Sequence, residues 1–335
     1  MKIIVDAFGG DNAPLEIIKG CRAAADDFGV TVILSGDEEK IKSCAKENSI
    51  SLDGLEIIHA PDVIAMDENP SEVIKSKKNS SMAVGLQALA DGKGDAFVSA
   101  GSTGALTMGA TFIVKRIKGV KRPAIGSVLP SNDKPFLLLD CGANADCTAE
   151  HLRQFAMMGN IYMNKFAKCE KPRVALANIG TEDSKGDRLR HEAFDVLKNC
   201  DNINFIGNVE ARDVPFGCCD VLVADGFTGN IMLKLYEGVA GALMVNIKNI
   251  FKKNALTMLS AMMVKGGLKD FKKRMDSSEM GGAPLLGVNG IVIKAHGSSN
   301  AKAIRNAINQ AKICAEMNVV GTIAENVKKD ADIAE

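Results

Sequence analysis

The fold is decided by a pattern that first appears in residues 1–27, MKIIVDAFGGDNAPLEIIKGCRAAADD. A short apolar run, Lys2–Val5, has the β-branched residues of a buried strand. A turn follows in which Gly9 and Gly10 let the backbone bend sharply or approach a ligand. From Pro14 onward the apolar residues recur at helical spacing, and proline suits a first helical turn. This unit therefore predicts a strand, a glycine-rich turn and a helix.

The same alternation of strand and helix continues along the chain. Strands are predicted at Lys2–Val5, Val30–Leu34, Leu55–Ile58, Ala96–Ser99, Ile125–Leu129, Phe136–Leu139, Arg173–Ala177, Ile203–Ile206, Val221–Ala224 and Gly290–Ile293. Helices are predicted at Pro14–Asp27, Glu38–Glu47, Ser80–Ala90, Gly104–Lys115, Ala149–Lys168, Asp187–Asn199, Gly229–Ile250 and Ser299–Ala315. The fold class is therefore α/β, a three-layer α/β/α sandwich with a largely parallel sheet. We expect residues 1–335 to form a single domain.

Composition excludes several classes of protein. The 41 basic and 41 acidic residues give a net charge of zero, so nothing attracts nucleic acid in general. The nine cysteines include no Cys-x-x-Cys pair, which argues against a zinc site or a disulfide framework and fits a reducing cytosol. The first residues lack a signal-peptide pattern, and no window approaches 18 uncharged apolar residues. We therefore expect a cytoplasmic protein.

Residues 246–280 break the alternation, because they contain no strand pattern and predict a helical hairpin divided at Gly266 and Gly267. The apolar residues of its first arm are Ile250, Leu256, Met258, Leu259, Met262 and Met263. Its cations are Lys248, Lys252, Lys253, Lys265, Lys269, Lys272, Lys273 and Arg274. Such an arm most often packs on a dimer partner or the core, but it can also lie on an anionic membrane. Its lysines can also bind an acidic protein.

Five loops rich in Gly, Ser, Thr and Asn follow predicted strands. They are Asp6–Pro14, Ser99–Gly104, Asn178–Gly186, Asp225–Asn230 and His296–Asn300. Ligands of parallel α/β sheets bind where strand ends meet helix starts, and free amides at helix N-termini attract anions. We expect the five loops to lie at one edge of the sheet and to bind an anionic substrate. Each loop alone fits a simple capping turn equally well.

The loops contribute candidate residues of different kinds. Organisers of the first loop are predicted to be Asp6, Gly9, Gly10 and Asp11. The two carboxylates would repel a phosphate placed against them, so their expected role is to accept amide hydrogen bonds. Lys185 is the only cation in its loop, and Asn230 falls in a first helical turn where its amide can face a ligand. His296 can contact substrate, although a capping or core role fits it equally.

Other catalytic templates have little support in the sequence. It contains no Gly-x-Ser-x-Gly elbow, no His-Glu-x-x-His, no P-loop and no Gly-x-Gly-x-x-Gly. Cys141 follows a strand and could act as a nucleophile. No histidine lies in a matching loop, however, and cysteine often packs as a small hydrophobic residue. A nucleophilic cysteine is therefore a minor alternative.

Six motifs resemble those of the bacterial phosphate acyltransferase (PlsX) family. They are MKIIVDAFGGDNAP at 1–14, VSAGSTGA at 98–105, LLDCGAN at 138–144, LANIGTEDSKG at 176–186, VADGFTGN at 223–230 and KAHGSS at 294–299. The resemblance keeps their order and spacing and covers essentially all 335 residues. It implies transfer of a long-chain fatty acyl group from acyl carrier protein to inorganic phosphate. The product would be acyl phosphate for phosphatidic acid and phospholipid synthesis.

The resemblance also implies a fold, partners and residue roles. The fold would be like that of isocitrate and isopropylmalate dehydrogenases and phosphotransacetylase, in a homodimer that associates peripherally with the cytoplasmic membrane. Lys185 and Asn230 would be catalytic, with no metal and no organic cofactor. The substrate-binding or phosphate-binding residues would be Ser102, Thr103, Gly104, Thr181, Asp225, Thr228, His296, Ser298 and Ser299. The membrane contacts would be Leu256, Leu259, Met262 and Met263.

Three alternative functions remain open from the sequence. A phosphotransacetylase would carry out the same chemistry on acyl-CoA. A metal-dependent decarboxylating dehydrogenase on a related fold is less favoured, because no cluster of acidic metal ligands is evident. A peripheral membrane scaffold without activity would leave the five polar loops unexplained.

Overall fold

Eleven strands form one sheet in the computed structural model, which describes residues 1–275 and 281–334. The strands are β1 (Lys2–Asp6), β2 (Thr31–Gly36), β3 (Leu55–His59), β4 (Ala96–Ser99), β5 (Ala124–Leu129), β6 (Phe136–Leu139), β7 (Arg173–Asn178), β8 (Asn204–Glu210), β9 (Val221–Val223), β10 (Ala283–Leu286) and β11 (Ile291–Lys294). The helices are α1 (Leu15–Phe28), α2 (Glu38–Glu47), α3 (Ser81–Ala90), α4 (Thr103–Gly109), α5 (Ala149–Phe166), α6 (Arg188–Lys198), α7 (Gly226–Phe251), α8 (Ala255–Met263), α9 (Lys265–Met275), α10 (Ala301–Glu316) and α11 (Val319–Ala334). That the chain behaves as a single domain stays a prediction.

The sheet is buried on both faces, as its apolar strands predict. In β1, Ile3 and Val5 belong to one core cluster, whereas Ile4 between them belongs to a second cluster on the opposite face. Helices α1, α2, α5, α6, α10 and α11 supply residues to the first cluster, and α3 and α4 supply residues to the second. Within the described residues, seven of the ten strand pairings are parallel. The predicted α/β/α sandwich with a largely parallel sheet is confirmed.

The sheet consists of two parallel halves that run in opposite directions. The strand order is β3-β2-β1-β4-β11-β10-β5-β6-β9-β7-β8. The three pairings β11–β10, β10–β5 and β5–β6 are antiparallel, so the direction is reversed between β11 and β6. The expectation that all five polar loops share one edge is therefore wrong. The loops after β1, β4 and β11 lie at one edge, and those after β7 and β9 lie at the other.

The two halves are joined through β10, which the sequence does not predict. Its four residues, Ala-Pro-Leu-Leu, are too few to show a period, and a proline argues against a central strand. Pro284 lies near the strand start, opposite Ile293 of β11, while Leu285 pairs with Ile125 of β5. This short strand joins the two halves of the sheet.

Four helices also differ from prediction. Helix α7 begins at Gly226, three residues before the predicted start, so Asn230 follows its first turn rather than lying within it. The predicted helix from Gly104 to Lys115 is α4 followed by a π-helical turn, and α11 lies beyond the last predicted helix. The start of α10 is capped by Asn300, whose side chain accepts a hydrogen bond from Ala303 N at 3.0 Å. The predicted helix start at Ser299 is therefore one residue early.

The region predicted as a hairpin contains the end of α7 and then α8 and α9. The chain breaks its helical path between α7 and α8 and again at Val264. Gly266 and Gly267 lie inside α9, so the prediction that they divide the hairpin is wrong. No residue of α8 is buried. Residues 276–280 and the side chains of Lys272, Lys273 and Arg274 lie outside the described residues. None of the described helices is both long and apolar enough to cross a membrane.

Candidate active site

Three loops meet beyond the ends of β6, β7 and β9, and we call them the Asn230 cluster: residues 140–144, 178–190 and 225–230. The amide of Gly226 donates to Asn144 O at 2.7 Å, which joins the first loop to the third. The guanidinium of Arg190 forms an ion pair with Asp225, which joins the second loop to the third. Lys185 and Asn230 therefore follow neighbouring strands at one edge of the sheet.

Close packing fixes the start of α7 against the loop after β6. A β-carbon at position 229 would lie 1.9 Å from Asp140 O, and one at position 226 would lie 2.5 Å from Asn144 O. Asp140 orders this loop, because its carboxylate accepts hydrogen bonds from the amides of Ile125, Ala143 and Asn144. Burial raises the pKa of Asp140 despite these bonds. Only glycine at 226 and 229 permits the approach that positions Asn230.

Asn230 is half-buried and faces Gly142. Its amide carbon and nitrogen both lie 3.5 Å from the point that a β-carbon at 142 would occupy. Gly142 has φ +126°, which a residue with a side chain adopts only with strain. Within the described residues, the side-chain amide of Asn230 makes no hydrogen bond. The amide is therefore available to a ligand above Gly142.

Arg190 connects the loops, and the sequence analysis did not single it out. Its guanidinium donates to Asp187, to Asp225 and, at 2.9 Å, to Thr228 Oγ1. Burial alone would raise the pKa of Asp225, but hydrogen bonds from Thr228 and the charge of Arg190 outweigh it and lower the pKa. Asp187 and Arg190 at i, i+3 indicate a helical pair, but nothing in the sequence indicates the long-range partner. Asp225 and Thr228 are bound within the protein rather than free for phosphate.

Lys185 lies in a loop whose ends are tied to the sheet. Asn178 Nδ2 donates to Lys185 O at 2.9 Å, and Asn208 Nδ2 donates to Glu182 O at 3.0 Å. Among the described residues, the ammonium of Lys185 has only a distant ion-pair partner, Glu182, at 4.0 Å, and its side chain is 49% exposed. Thr181 in the same loop is exposed. Because the backbone of this loop is fixed and the Lys185 ammonium has no close ion-pair partner in the described structure, the ammonium is suited to contact an anion.

The loops after β1, β4 and β11 form a second group, which we call the Ser99 cluster: residues 6–14, 99–104 and 294–300. Ser99 Oγ donates to the buried Asp6 carboxylate at 2.7 Å and accepts from Gly101 N at 3.0 Å. Burial raises the pKa of Asp6, although the hydrogen bonds from Ser81 and Ser99 oppose this. A β-carbon at Gly9 would lie 2.6 Å from that carboxylate. Here too, the polar groups hold one loop against another.

The remaining links of the Ser99 cluster run between the first loop and the last. The amide of Asp11 donates to Gly297 O at 2.8 Å. Gly10 has φ +99°, and a β-carbon there would lie 2.8 Å from that same carbonyl oxygen. The Asp11 carboxylate lies near the surface.

Most residues of the Ser99 cluster that were predicted to bind phosphate form hydrogen bonds within their own turns. Ser102 Oγ accepts from Ala105 N, which caps α4, and Ser299 Oγ donates to His296 O at 2.6 Å. His296 Nδ1 lies 2.8 Å from Ser298 Oγ and accepts from Ser298 N at 3.2 Å. The ring nitrogen that accepts is unprotonated, so the proton of a neutral His296 lies on Nε2. Thr103 and Gly104 form the first turn of α4.

Lys294 is a further charged group that the sequence analysis did not single out. It ends β11, opposite Ser99, and its ammonium donates to the carbonyl oxygens of Ala100 and Ala295. Burial lowers the pKa of Lys294 to about 8, against the opposing attraction of Asp6 and Asp11. Its position at the end of an apolar strand resembles that of many surface lysines, so sequence alone gave no signal.

A cleft of about 990 Å³ borders both clusters. It is lined by Gly104 of the Ser99 cluster, by Gly142–Asn144 of the Asn230 cluster and by residues 115–123. Strands β4 and β9 are five strand spacings apart, which corresponds to about 24 Å. A single small anion therefore does not reach both clusters, whereas a long substrate in the cleft can approach both.

Cys141 does not have the surroundings of a nucleophile. It is 6% exposed, and its thiol donates to Leu138 O at 3.1 Å. Burial, with a smaller contribution from the charge of Asp140, raises the pKa of this thiol well above its ordinary value. A reactive cysteine needs a lowered pKa and access to solvent. Among the described residues, no group of three or more His, Cys, Asp and Glu side chains is arranged to hold a metal ion.

Comparison with known proteins identifies the family. The family model described as fatty acid synthesis protein matches residues 1–322. The chain belongs to this family. A phosphate acyltransferase of Caldanaerobacter subterraneus is 47% identical over 99% of this chain and 99% of its own length. One from Lysinibacillus sphaericus is 47% identical over 98% of each.

A solved structure supports the fold of this fatty acid synthesis family member. A phosphotransacetylase from Streptococcus pyogenes superimposes with a TM-score of 0.65 at 18% identity, covering 96% of this chain and 94% of that chain. At this level of identity the similarity concerns the fold alone. It agrees with the phosphotransacetylase-like fold that the resemblance in sequence implies.

Proposed function

We propose that the protein is an acyltransferase that moves a long-chain fatty acyl group from acyl carrier protein to inorganic phosphate. The product is acyl phosphate, which feeds phosphatidic acid and phospholipid synthesis. Membership of the fatty acid synthesis family and the phosphate acyltransferase relatives support the reaction. The structural observation that carries it is the unpaired amide of Asn230 above Gly142, beside a cleft with a basic wall.

The chemistry is direct acyl transfer. An oxygen of phosphate attacks the thioester carbonyl carbon and forms a tetrahedral oxyanion. The carbon–sulfur bond then breaks, the acyl group remains on phosphate, and the carrier thiolate leaves and takes a proton from water. Phosphate is already anionic at neutral pH, so no strong base is required. The enzyme must orient two anionic reactants and stabilise the charge that develops between them.

Lys185 and Asn230 are assigned the catalytic roles. The ammonium of Lys185 neutralises phosphate or the developing oxyanion as a point charge. The Asn230 amide donates to the oxyanion or positions phosphate, since it has no competing partner in the described structure. Arg190 acts through Asp225 and Thr228, which hold the start of α7, so it is a positioning residue. In this role Asp225 and Thr228 fix the start of α7 and do not contact the substrate themselves.

The Ser99 cluster receives a secondary role in this proposal. Thr103, Gly104 and, in the Asn230 cluster, Thr181 remain candidate substrate contacts, because neither threonine side chain is tied to another loop by a hydrogen bond in the described structure. Ser102, His296, Ser298 and Ser299 shape the turns of the Ser99 cluster, of which Gly104 borders the cleft. Contact with phosphate through their backbone amides remains part of the proposal.

The product identifies the reaction. Acyl carrier protein with a long-chain acyl group and labelled phosphate should give labelled acyl phosphate, which hydroxylamine converts to acyl hydroxamate. Acetyl-CoA with the same phosphate should turn over far more slowly. Faster turnover of acetyl-CoA would favour a phosphotransacetylase, and absence of product with either thioester would contradict the proposal.

The proposal includes a homodimer, for which α7 offers a surface. Its exposed apolar residues recur at every fourth position and form a row along one side: Phe227, Ile231, Leu235, Val239 and Leu243. Rows at i, i+4 are the ridges through which helices pack on one another. Leu235→Glu with Val239→Glu should give a monomer in sedimentation equilibrium, whereas a persisting dimer would place the interface elsewhere.

Peripheral membrane contact is proposed for α8. Leu256 is 76% exposed and Met263 is 85% exposed, with Leu259 and Met262 exposed between them and lysines close by. Such an arrangement suits insertion at an anionic lipid surface. Leu256→Glu with Met263→Glu should abolish sedimentation with anionic vesicles, and Phe216→Glu, at an exposed apolar residue of another turn, should not. Equal sedimentation of both variants would remove α8 from the membrane contact.

A further inference from the structure

A run of cations lines one side of the cleft that borders the Asn230 cluster. It contains Lys115, Arg116, Lys118, Lys121 and Arg122, and we call residues 115–122 the basic segment. The sequence has no Asp or Glu between Asp95 and Asp133, so these five charges have no acidic neighbours along the chain. All five side chains are exposed, while Ile117 and Val120 between them are buried.

The backbone of the basic segment is held firmly by the rest of the protein. Gln154 of α5 is buried, accepts from Lys121 N at 2.8 Å and donates to Gly119 O at 3.0 Å. Asn289 Nδ2 donates to Arg116 O at 2.9 Å, and Ile117 N donates to Gly287 O at 3.0 Å. A preorganised surface of this kind loses little entropy when a partner binds.

The charges of the basic segment have no acidic side chain at ion-pair distance in the described structure. Against the effect of burial, Lys121 lies near enough to Glu150 to help lower the pKa of that carboxyl. Arg116 donates to the carbonyl oxygen of Lys121. The other four cations make no side-chain hydrogen bond and no ion pair within the described part of the chain. Their field reaches α5, where Lys121 and Arg122 add to the effect of burial in lowering the pKa of His151. An unpaired cluster of like charge on a rigid loop costs stability and suits an anionic partner.

The position of the basic segment indicates which partner it binds. Residues 115–123 and Gly142–Asn144 line the same cleft, and Asn230 lies against Gly142. A partner bound on the segment could pass a tethered thioester along the cleft to the Asn230 cluster. We infer that the basic segment is the docking surface for the acidic acyl carrier protein. This inference rests on the proposed function and assigns carrier binding to this surface rather than to the lysines of α7–α9.

Charge reversal on the segment tests the inference. Lys118→Glu, Lys121→Glu and Arg122→Glu are combined, because these three exposed side chains make no hydrogen bond or ion pair within the described residues. We expect the KM for acyl carrier protein substrate to rise about 10-fold or more, with kcat at saturation retained. The matched control reverses three exposed lysines elsewhere, Lys46, Lys168 and Lys171, and should leave KM unchanged.

A small thioester without the carrier protein distinguishes carrier docking from the other possible roles of the basic segment, which are phosphate binding and membrane binding. With an acyl-pantetheine substrate and saturating phosphate, the segment variant should turn over like the wild type, and its KM for phosphate should be unchanged. An increased KM for phosphate would overturn the inference in favour of a phosphate site. Loss of sedimentation with anionic vesicles at unchanged carrier binding would overturn it in favour of a membrane surface.

The lysines of α7–α9 form the alternative docking surface, and their variant is compared directly with the variant of the basic segment. Lys252→Glu, Lys253→Glu and Lys265→Glu reverse charge at α7–α9. If this variant weakens direct binding of acyl-free carrier protein and the segment variant does not, the docking surface has been assigned to the wrong place. The proposed function is contradicted by a different result, namely that the wild-type protein forms no acyl phosphate from acyl carrier protein substrate or from acyl-pantetheine.

Discussion

The Asn230 cluster and the Ser99 cluster look alike in sequence but differ in what their polar groups do. Both consist of glycine-rich loops between strands and helices, and both contain a buried aspartate whose carboxylate accepts a backbone amide hydrogen bond, from Phe8 in one and from Asn144 in the other. In the Ser99 cluster, Ser299 and His296 bond within their own turn. In the Asn230 cluster, the side-chain ends of Lys185 and Asn230 have no close partner in the part of the chain that the structure describes.

This difference shows that two loops of similar polar composition can have different roles. A side chain that already satisfies a turn must give up that bond before it binds a ligand, and this costs about 1–3 kcal/mol when the turn is buried. A side chain without a partner gives up nothing within the protein. The chemistry is therefore expected in the Asn230 cluster, with the Ser99 cluster as a supporting wall.

The largest expected effect is on turnover in the Asn230 cluster. Lys185→Ala and Asn230→Ala should each lower kcat by about 10²–10³-fold, because each removes one group that stabilises the transition state. Initial rates with acyl carrier protein substrate measure this, and circular dichroism checks that the variants are folded. Lys198→Ala, which removes a cation paired with Asp183 of the same loop, is the control and should keep its activity. Near-normal turnover in both variants would remove them from catalysis.

The next effect is on stability, through Arg190. Arg190→Ala leaves the nearly buried Asp225 carboxylate unpaired and should lower the free energy of unfolding by about 3 kcal/mol. The control is Arg188→Ala on the same helix, where a 92% exposed side chain should contribute less than about 0.5 kcal/mol. Urea unfolding measures both. Equal losses in the two variants would mean that the ion pair with Asp225 does not hold the loops.

The same pair predicts a pH dependence. The folded-state pKa of Asp225 lies below its ordinary value of 3.8, so its contribution to stability is complete above that pH. The contribution is lost as the pH falls through the folded-state pKa. The difference in free energy of unfolding between the wild type and Asp225→Asn should therefore be largest near neutral pH and shrink below about pH 3.9. A difference that does not change with pH would contradict the ion pair.

Two glycines of α7 provide a smaller and closely matched test of packing. Gly229→Ala places a methyl group against Asp140 O and should cost about 1–3 kcal/mol, together with activity, because the start of the helix must shift. Gly238→Ala has nothing within 4 Å and should stabilise the same helix by up to about 1 kcal/mol. Thermal unfolding compares the two. Equal melting temperatures would contradict the close approach of the two loops.

The smallest effect is expected in the Ser99 cluster. Ser298→Ala removes a hydroxyl group bonded to His296 and should lower kcat by less than about 10-fold, since the turn retains its backbone bonds. The KM for phosphate in the same assay shows whether the hydroxyl also binds substrate. A loss as large as that of Asn230→Ala would make the two clusters equal partners in catalysis.

The sequence predicted local features better than the relation between them. Ten strands, the α/β/α class and the polar loops follow from local patterns of apolar residues and glycines. The opposite directions of the two halves depend on how β10, β5 and β6 pair, and the four residues of β10 around Pro284 carry no periodic signal. The contact of Arg190 with Asp225, 35 residues away, likewise leaves no trace in local spacing.

Local sequence patterns also failed to predict where the helices after α7 begin and end. The exposed apolar residues of α8 were evident as a pattern, but Gly266 and Gly267 lie inside α9 rather than at a turn. Glycine lowers helix propensity by about 1 kcal/mol relative to alanine, and its neighbours can outweigh that preference. The break instead occurs at Val264, where no sequence signal marks it.

Release of the carrier thiol from acyl carrier protein, measured with and without phosphate, tests the central claim most directly. If phosphate attacks the thioester in the Asn230 cluster, thiol release requires phosphate and equals the acyl hydroxamate recovered after trapping. In Asn230→Ala the rate of both falls by about 10²–10³-fold. Thiol release at the same rate without phosphate, or unchanged in Asn230→Ala, would contradict direct transfer to phosphate at this site.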